Sequence, residues 1–275
     1  MKEISVVFIA RNEAHILGDT IRSLQGLTND VVVADTGSTD NTMEIARAMG
    51  ARAFSIGWDG FGKSKNKALQ LARYDWVLFL DADESIDEGL KQCLLQNDFT
   101  DPSIVYKVRV KNYAGGKEIR FGEWRNERKV KFFNRRYARW DDAEVHEKVV
   151  VPVNGGTRTL NGFVRHYPLR DTREYAEKMN RYGELMAHRY LRDGKKASFF
   201  KLYLYPASRF ILNYFFRLGF LDGRVGFTTA TLNSYYAFLK YHRLKELQEG
   251  ARETGISSYL RHYAQDSGHP NRVYR

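Results

Sequence analysis

The feature that most constrains this chain is a unit repeated through its first hundred residues: a short apolar run, a polar turn, then a helical pattern. Ile4 to Ala10, Val31 to Ala34, Ala51 to Ile56 and Trp76 to Leu80 are the runs. Short apolar stretches rich in β-formers read as strands buried on both faces. The helical stretches between them carry Ile16, Leu17, Ile21 and Leu24, then Asn41 to Met49 with Gly50 as a stop, then Lys63 to Arg73. Asp40 or Thr39 is placed to open the second of these helices. Strand and helix alternating at this spacing predict an α/β fold, a mostly parallel sheet with helices on both faces.

Sheets of that kind hold ligands beyond the carboxyl ends of their strands. Polar residues fall at three such ends: Arg11-Asn12-Glu13, Asp35-Thr36-Gly37-Ser38 and Asp81-Ala82-Asp83. If the chain stays extended past Leu80, the Asp81 and Asp83 side chains leave the same side of it. Two carboxylates so placed repel unless a cation sits between them. Mg2+ or Mn2+, completed by substrate phosphates, is the natural one, although an Asp-rich helix cap would look the same in sequence. Neither a Gly-x-Gly-x-x-Gly after the first strand nor a Gly-x-x-x-x-Gly-Lys-Ser/Thr is present. The expected ligand is therefore a nucleotide held by carboxylates and a metal.

These residues carry a resemblance. Ile4-Ser5-Val6-Val7-Phe8-Ile9-Ala10-Arg11-Asn12-Glu13, Val32-Val33-Ala34-Asp35-Thr36-Gly37-Ser38-Thr39-Asp40-Asn41-Thr42 and Leu78-Phe79-Leu80-Asp81-Ala82-Asp83-Glu84 resemble the family 2 glycosyltransferases, which are inverting, nucleotide-sugar-dependent enzymes of the Rossmann-like GT-A fold. Gly57-Trp58-Asp59-Gly60-Phe61-Gly62-Lys63-Ser64-Lys65-Asn66-Lys67-Ala68-Leu69, Val145-His146-Glu147 and His166-Tyr167 are similar to the subgroup that glucosylates lipopolysaccharide core and related cell-envelope glycans. The resemblance spans residues 3–170 and weakens beyond. It implies Asn12, Glu13, Asp35, Ser38, Lys65 and Asp81 as donor-binding residues, with Asp35 on the uracil and Asp81 on the ribose or a metal-bound water. It implies Asp83 and His166 as metal ligands. The chain has Asp35-Thr36-Gly37-Ser38 where the family more often has Asp-Asp-Gly-Ser, so a carboxylate pair is missing there.

Inverting transfer needs one general base to take the proton from the acceptor hydroxyl. Asp141, Asp142, Glu144 and Glu147 are the candidates, and a solvated acidic turn balancing Arg135, Arg136 and Arg139 is the bland alternative. The resemblance selects Glu147, with Glu144 next, and puts His146 on the acceptor side. Trp124, beside Glu123 and Arg125, suits either sugar stacking or a core position with a bonded indole. Val105 to Val110 and Lys129 to Phe133 alternate basic and apolar residues, which predicts half-exposed strands. Lys63, Lys65 and Lys67 open a helix, where cations oppose the dipole. At least two of them are expected in solvent.

The organisation expected is a transferase domain over 1–170, with a nucleotide-sugar half (1–100) and an acceptor side (101–170). A helical aromatic and basic extension over 171–256 and a polar tail over 257–275 follow. The run from Phe210 to Leu218 is interrupted by Asn213 and Arg217, short of the ~20 apolar residues a spanning helix needs. Its aromatics among basic residues suit a membrane interface, a second subunit forming a homo-oligomer, or packing on the domain itself. A net charge of +11 calls for a polyanionic partner, but the basic residues are dispersed and no nucleic-acid motif is present. An anionic membrane and a phosphorylated glycan or glycolipid acceptor account for it. One cysteine and an opening apolar run too short for a leader predict a cytoplasmic enzyme, peripheral at the inner membrane face. The rival readings are a non-catalytic nucleotide-sugar-binding scaffold and a nucleotidyltransferase, whose basic glycine-rich loop Ala10-Arg11-Asn12-Glu13 does not resemble.

Overall fold

The computed structural model describes residues 3–125, 127–143, 147–152, 154–169 and 171–253. Two compact units divide the chain, Met1–Thr172 and Arg173–Arg275.

In the first unit the predicted alternation is present. β1 (Ile4–Ala10), α1 (Leu17–Arg22), β2 (Asp30–Asp35), α2 (Thr42–Ala48), β3 (Arg52–Ser55), α3 (Phe61–Gln70) and β4 (Trp76–Asp81) follow in order. Then come β5 (Glu84–Ile86), α4 (Glu88–Gln96), β6 (Val105–Ala114), β7 (Lys117–Glu118), β8 (Glu127–Asn134), the small β9–β10 pair (Arg139–Trp140 with Val149–Val150), and β11 (Thr157–Leu169). The large sheet runs β3-β2-β1-β4-β8-β6-β11-β5, with β7 on β6. Its first four strands are parallel. From β8 onward the directions are mixed: β8 is antiparallel to both β4 and β6, β11 parallel to β6, and β5 antiparallel to β11. The whole is a mixed sheet flanked by helices.

β1 lies at the centre of the parallel half, so all seven of its residues are buried. Its alternate residues enter opposite cores: Ile4, Val6 and Phe8 join Leu17, Leu78 and Leu90, whereas Val7 and Ile9 join Ala68, Leu69 and Phe79. Burial on both faces is what its unbroken apolar run encodes. The amino edge of the parallel strands is held by Asp30, which is fully buried. Its carboxylate accepts from Ser5 Oγ (2.5 Å), Arg52 Nη2 (2.7 Å) and the Arg73 amide (2.8 Å). Burial pushes this carboxyl up, but those donors and the Arg52 charge win and hold it below its ordinary value.

The half-exposed reading of β8 requires correction. Lys131 to Asn134 are buried throughout, because β8 is an interior strand between β4 and β6 rather than an edge. Lys131 is therefore a core lysine, 2 % exposed.

The second unit is helical. α5 (Thr172–Arg192) ends before Gly194, which sits in the left-handed region at φ +67. α6 (Tyr205–Ile211) is flanked by wide π-helical turns at Phe200–Leu204 and Leu212–Phe216, and α7 (Arg224–Glu253) closes the described chain. α5 and α7 pair through Arg243 Nε to Glu184 (2.6 Å) and the Tyr190–Tyr241 rings (5.6 Å). No helix among the described residues is long and apolar enough to cross a membrane.

Candidate active site

The register gathers the three polar strand ends. Ala10 pairs with Asp35 and Ile9 with Asp81, so the chain after β1, β2 and β4 emerges along one edge. Asn12 adopts φ +58, a left-handed conformation that Asn tolerates better than most residues. From there its amide donates to Ser38 Oγ (2.8 Å), and its side-chain oxygen accepts the Thr39 amide (2.8 Å). The Glu13 amide donates to Thr42 Oγ1 (2.9 Å) and the Ala14 amide to Asp40 (3.2 Å). The buried Asp35 carboxylate accepts from the Gly37 and Ser38 amides, both at 3.0 Å, and from the Ser38 hydroxyl. The donor candidates Asn12, Glu13, Asp35 and Ser38 thus lie together, and Asp35 shapes the loop that carries it.

Beside them is a cluster of alternating charges. Lys65 Nζ lies 3.1 Å from Asp81 Oδ1 and 2.6 Å from Glu147 Oε1. Lys131 Nζ lies 3.1 Å from Asp81 Oδ2 and 2.5 Å from Glu84 Oε2, which also accepts the Asp81 amide at 2.9 Å. Burial pushes the Lys65 ammonium down, but Asp81 and Glu147 outweigh it and hold it above its ordinary value. Lys131 follows the same logic with Asp81 and Glu84. Asp81 moves the other way: burial raises its carboxyl, and Lys131, Lys65 and Lys129 override this and hold it well below the usual range. At physiological pH Asp81, Lys65 and Lys131 are therefore charged.

Lys65 is aimed by its own helix. The ammonium lies 4.5 Å from the centre of the Trp140 ring and 5.4 Å from Phe79, a cation–π setting. One residue on, Asn66 clamps the Trp140 backbone in both directions, its Nδ2 donating to the carbonyl (2.9 Å) and its Oδ1 accepting the amide (3.0 Å). Gly62 lets the loop after β9 approach α3: a Cβ there would stand 1.9 Å from the Asp141 carbonyl oxygen. The Gly62-Lys63-Ser64-Lys65-Asn66 stretch thus docks residues 140–143. Lys63 and Lys67 are exposed, as expected for two of the three lysines.

The other acidic candidates sort by position. Asp141 closes its loop, accepting the Ala143 amide (3.3 Å) and the Lys148 amide (3.1 Å). Asp142 is exposed. Glu147, half-buried, faces the cluster. Glu144 and His146 lie outside the described residues.

Asp83 and His166 also meet. The Asp83 carbonyl accepts the Tyr167 amide at 3.0 Å, and β5 and β11 pair Glu84 with His166. That register sets His166 Nε2 3.5 Å from Asp83 Oδ2. On the ring's other side Nδ1 lies 2.7 Å from Asn112 Oδ1, while the Asn112 amide nitrogen donates to the Trp124 carbonyl at 3.2 Å. With the Asn112 oxygen accepting, Nδ1 is the donor, and in the uncharged form of the ring the Nε2 lone pair faces the Asp83 carboxylate oxygen. That form would present two acceptors, one of them oriented by the Asn112 side chain, to a divalent cation. Among the described residues no third His, Cys, Asp or Glu completes a ligand set. Trp124, half-buried, enters the site's surroundings through its carbonyl.

Sequence reasoning missed Lys131, Glu84, Asn66 and Asn112. Asn66 and Gly62 stood inside the motif quoted for the resemblance; Lys131 was hidden by its alternating neighbours.

The model of the family described as glycosyl transferase family 2 matches residues 5–151, over half of the chain. The chain belongs to glycosyltransferase family 2. Curated relatives of this transferase include an uncharacterised glycosyltransferase of Rickettsia typhi, 28% identical over 97% of this chain and 94% of the relative. The lipopolysaccharide core biosynthesis glycosyltransferase LpsC of Rhizobium meliloti is 28% identical over 94% of this chain and 98% of its own. Among solved structures, glucosyl-3-phosphoglycerate synthase from Mycobacterium tuberculosis, crystallised with Mn2+, UDP and glucosyl-3-phosphoglycerate, aligns at 30% identity with a TM-score of 0.34. That alignment spans 41% of this transferase and 44% of the synthase.

Proposed function

We propose that this transferase moves a hexose, glucose in the first instance, from a UDP-sugar to a cell-envelope glycan or glycolipid such as lipopolysaccharide core, with inversion and with Mg2+ or Mn2+. The observation that carries this reading is the pairing of Asp83 with His166 Nε2 beside a carboxylate cluster that includes Glu147. Asp83 and His166 would hold the metal, and imidazole as one donor favours Mn2+ over Mg2+. A metal held there would supply Lewis-acid stabilisation to the departing diphosphate. Asn12, Glu13, Asp35 and Ser38 would receive the nucleoside, and Asp81 the ribose or a metal-bound water.

Glu147 is the base. Its carboxylate takes the proton from an acceptor hydroxyl as that oxygen bonds to the anomeric carbon, and the bond from that carbon to the diphosphate breaks on the opposite face. Lys65 positions Glu147 against the donor-side carboxylate Asp81. Trp124 and His146 are assigned to the acceptor. The acceptor class puts the reaction at the cytosolic membrane face.

Calorimetric titration with UDP, GDP and ADP, with Mn2+ and then with EDTA, tests the donor half. Metal-dependent UDP binding that Asp83→Ala abolishes is the expected result. Unchanged affinity in that variant, or binding indifferent to EDTA, overturns the ligand assignment.

A further inference from the structure

Seventeen large apolar side chains are exposed among the described residues, and twelve of them lie between Phe199 and Phe227. Soluble monomers scatter such residues; a concentrated patch marks an interaction surface. The stretch is a formed structure. Leu202, Pro206, Asn213 and Gly219 are buried, and Ser234 Oγ of α7 donates to the Pro206 carbonyl at 2.7 Å. Gly226 lets the chain close on itself, since a Cβ there would lie 1.8 Å from the Gly219 carbonyl oxygen.

With those residues turned inward, the aromatic rings face out. Tyr214 is the hub: its ring centre lies 5.4 Å from Phe210, 5.1 Å from Phe215, 6.3 Å from Phe220 and 5.7 Å from Phe227. Phe216, next to this cluster, is 77% exposed, the most open large apolar side chain among the described residues. Residues 196–227 contain Lys196, Lys201, Arg209, Arg217 and Arg224, five basic side chains, against the single acid Asp222. Asp222 is buried, so the outward charge of the stretch is entirely positive.

We infer that residues 199–227 form a platform that inserts aromatic side chains into the interface of an anionic phospholipid bilayer. Aromatic rings beside basic groups, on helical turns too short and too charged to span, are the makings of an in-plane interfacial anchor. The positive surface selects anionic headgroups, whereas a second copy of this chain would bring an equally positive face. The inference rests on the proposed membrane-associated acceptor and names the surface that would hold the protein on that membrane.

Flotation of the full-length protein with phosphatidylcholine vesicles, and with vesicles enriched in phosphatidylglycerol, tests it. The expected result is capture by the anionic vesicles at low salt that weakens as salt rises. Phe215→Ser and Phe216→Ser should each reduce capture by roughly tenfold, the weight of one withdrawn ring. UDP binding should persist in both variants. Equal capture by both vesicle types, no capture at low salt, or undiminished capture of the double variant overturns the inference. So does a dimer in sedimentation that the double variant abolishes, which would assign the face to a second copy. Vesicle capture is measured without donor, so lost UDP binding with intact capture sinks the donor reading alone.

Discussion

Replacing Lys65 by Met keeps the aliphatic stem against Trp140 and Phe79 and removes the ammonium that bridges Asp81 and Glu147. Removing one partner of a buried pair costs about 3–5 kcal/mol, because the remaining charge stays buried without compensation. Here Asp81 keeps Lys131 at 3.1 Å and is one-third exposed, so water shares part of the burden. The expected loss is about 2–4 kcal/mol, on the order of 5–15 °C in melting temperature for a unit of this size. All four tryptophans, Trp58, Trp76, Trp124 and Trp140, belong to the first unit, so their fluorescence during urea unfolding reports that unit. The pH dependence carries the sign. Asp81 is held below its ordinary 3.8, so its contribution is present above that pH and lost as pH falls through the folded value. Lys65 and Lys131 are held above 10.5, so theirs is full below that pH and lost as pH rises through the folded values. Lys65→Met should therefore narrow the stable window at both ends, with acid unfolding starting at higher pH than in the wild type. A variant as stable as the wild type with an unmoved acid limb would refute the cluster as a source of stability.

Glu147→Gln should retain UDP binding in calorimetry and lose at least about a hundredfold in transfer, the usual weight of a general base; near-normal turnover would move the base to Glu144. Asn112→Leu removes the acceptor that orients His166 and should weaken metal affinity by roughly tenfold or more, read by titrating Mn2+ against UDP binding, with the fold intact by circular dichroism. Gly162→Ala should destabilise the first unit: Gly162 has φ +89, and a Cβ would stand 2.1 Å from the Leu90 amide. The expected loss is about 1–3 kcal/mol or more, and wild-type stability in urea would show that β11 yields there at little cost.

The parallel half was legible because a strand buried on both faces needs an unbroken apolar run, and β1, β2 and β4 each have one ending in polar residues. The candidate donor loops were legible for the same reason. The mixed half was not. Nothing in the local pattern of Lys129-Val130-Lys131-Phe132 tells an edge strand from an interior one, and only the pairing of β8 with both β4 and β6 buries Lys131. The local pattern does not separate Lys65 from Lys63 and Lys67: the resemblance alone named it, as a donor-binding residue, and its contact with Glu147 joins positions far apart in the chain. Asn112 carries no signal of its own, because its importance comes from β6 running beside His166 in β11.

The loops after β1 and β2 do not stand alone. The amides of Asn12, Glu13 and Ala14 find their acceptors on Ser38, Thr42 and Asp40, and the Thr39 amide finds its own on Asn12. Grafting either loop singly onto a related transferase would break four backbone-to-side-chain hydrogen bonds at once unless the host carries matching side chains. The pair is therefore a single cassette: positions 12–14 and 38–42 are best transplanted or varied in a library together, and a screen that randomises one while freezing the other samples mostly loops that have lost their partners.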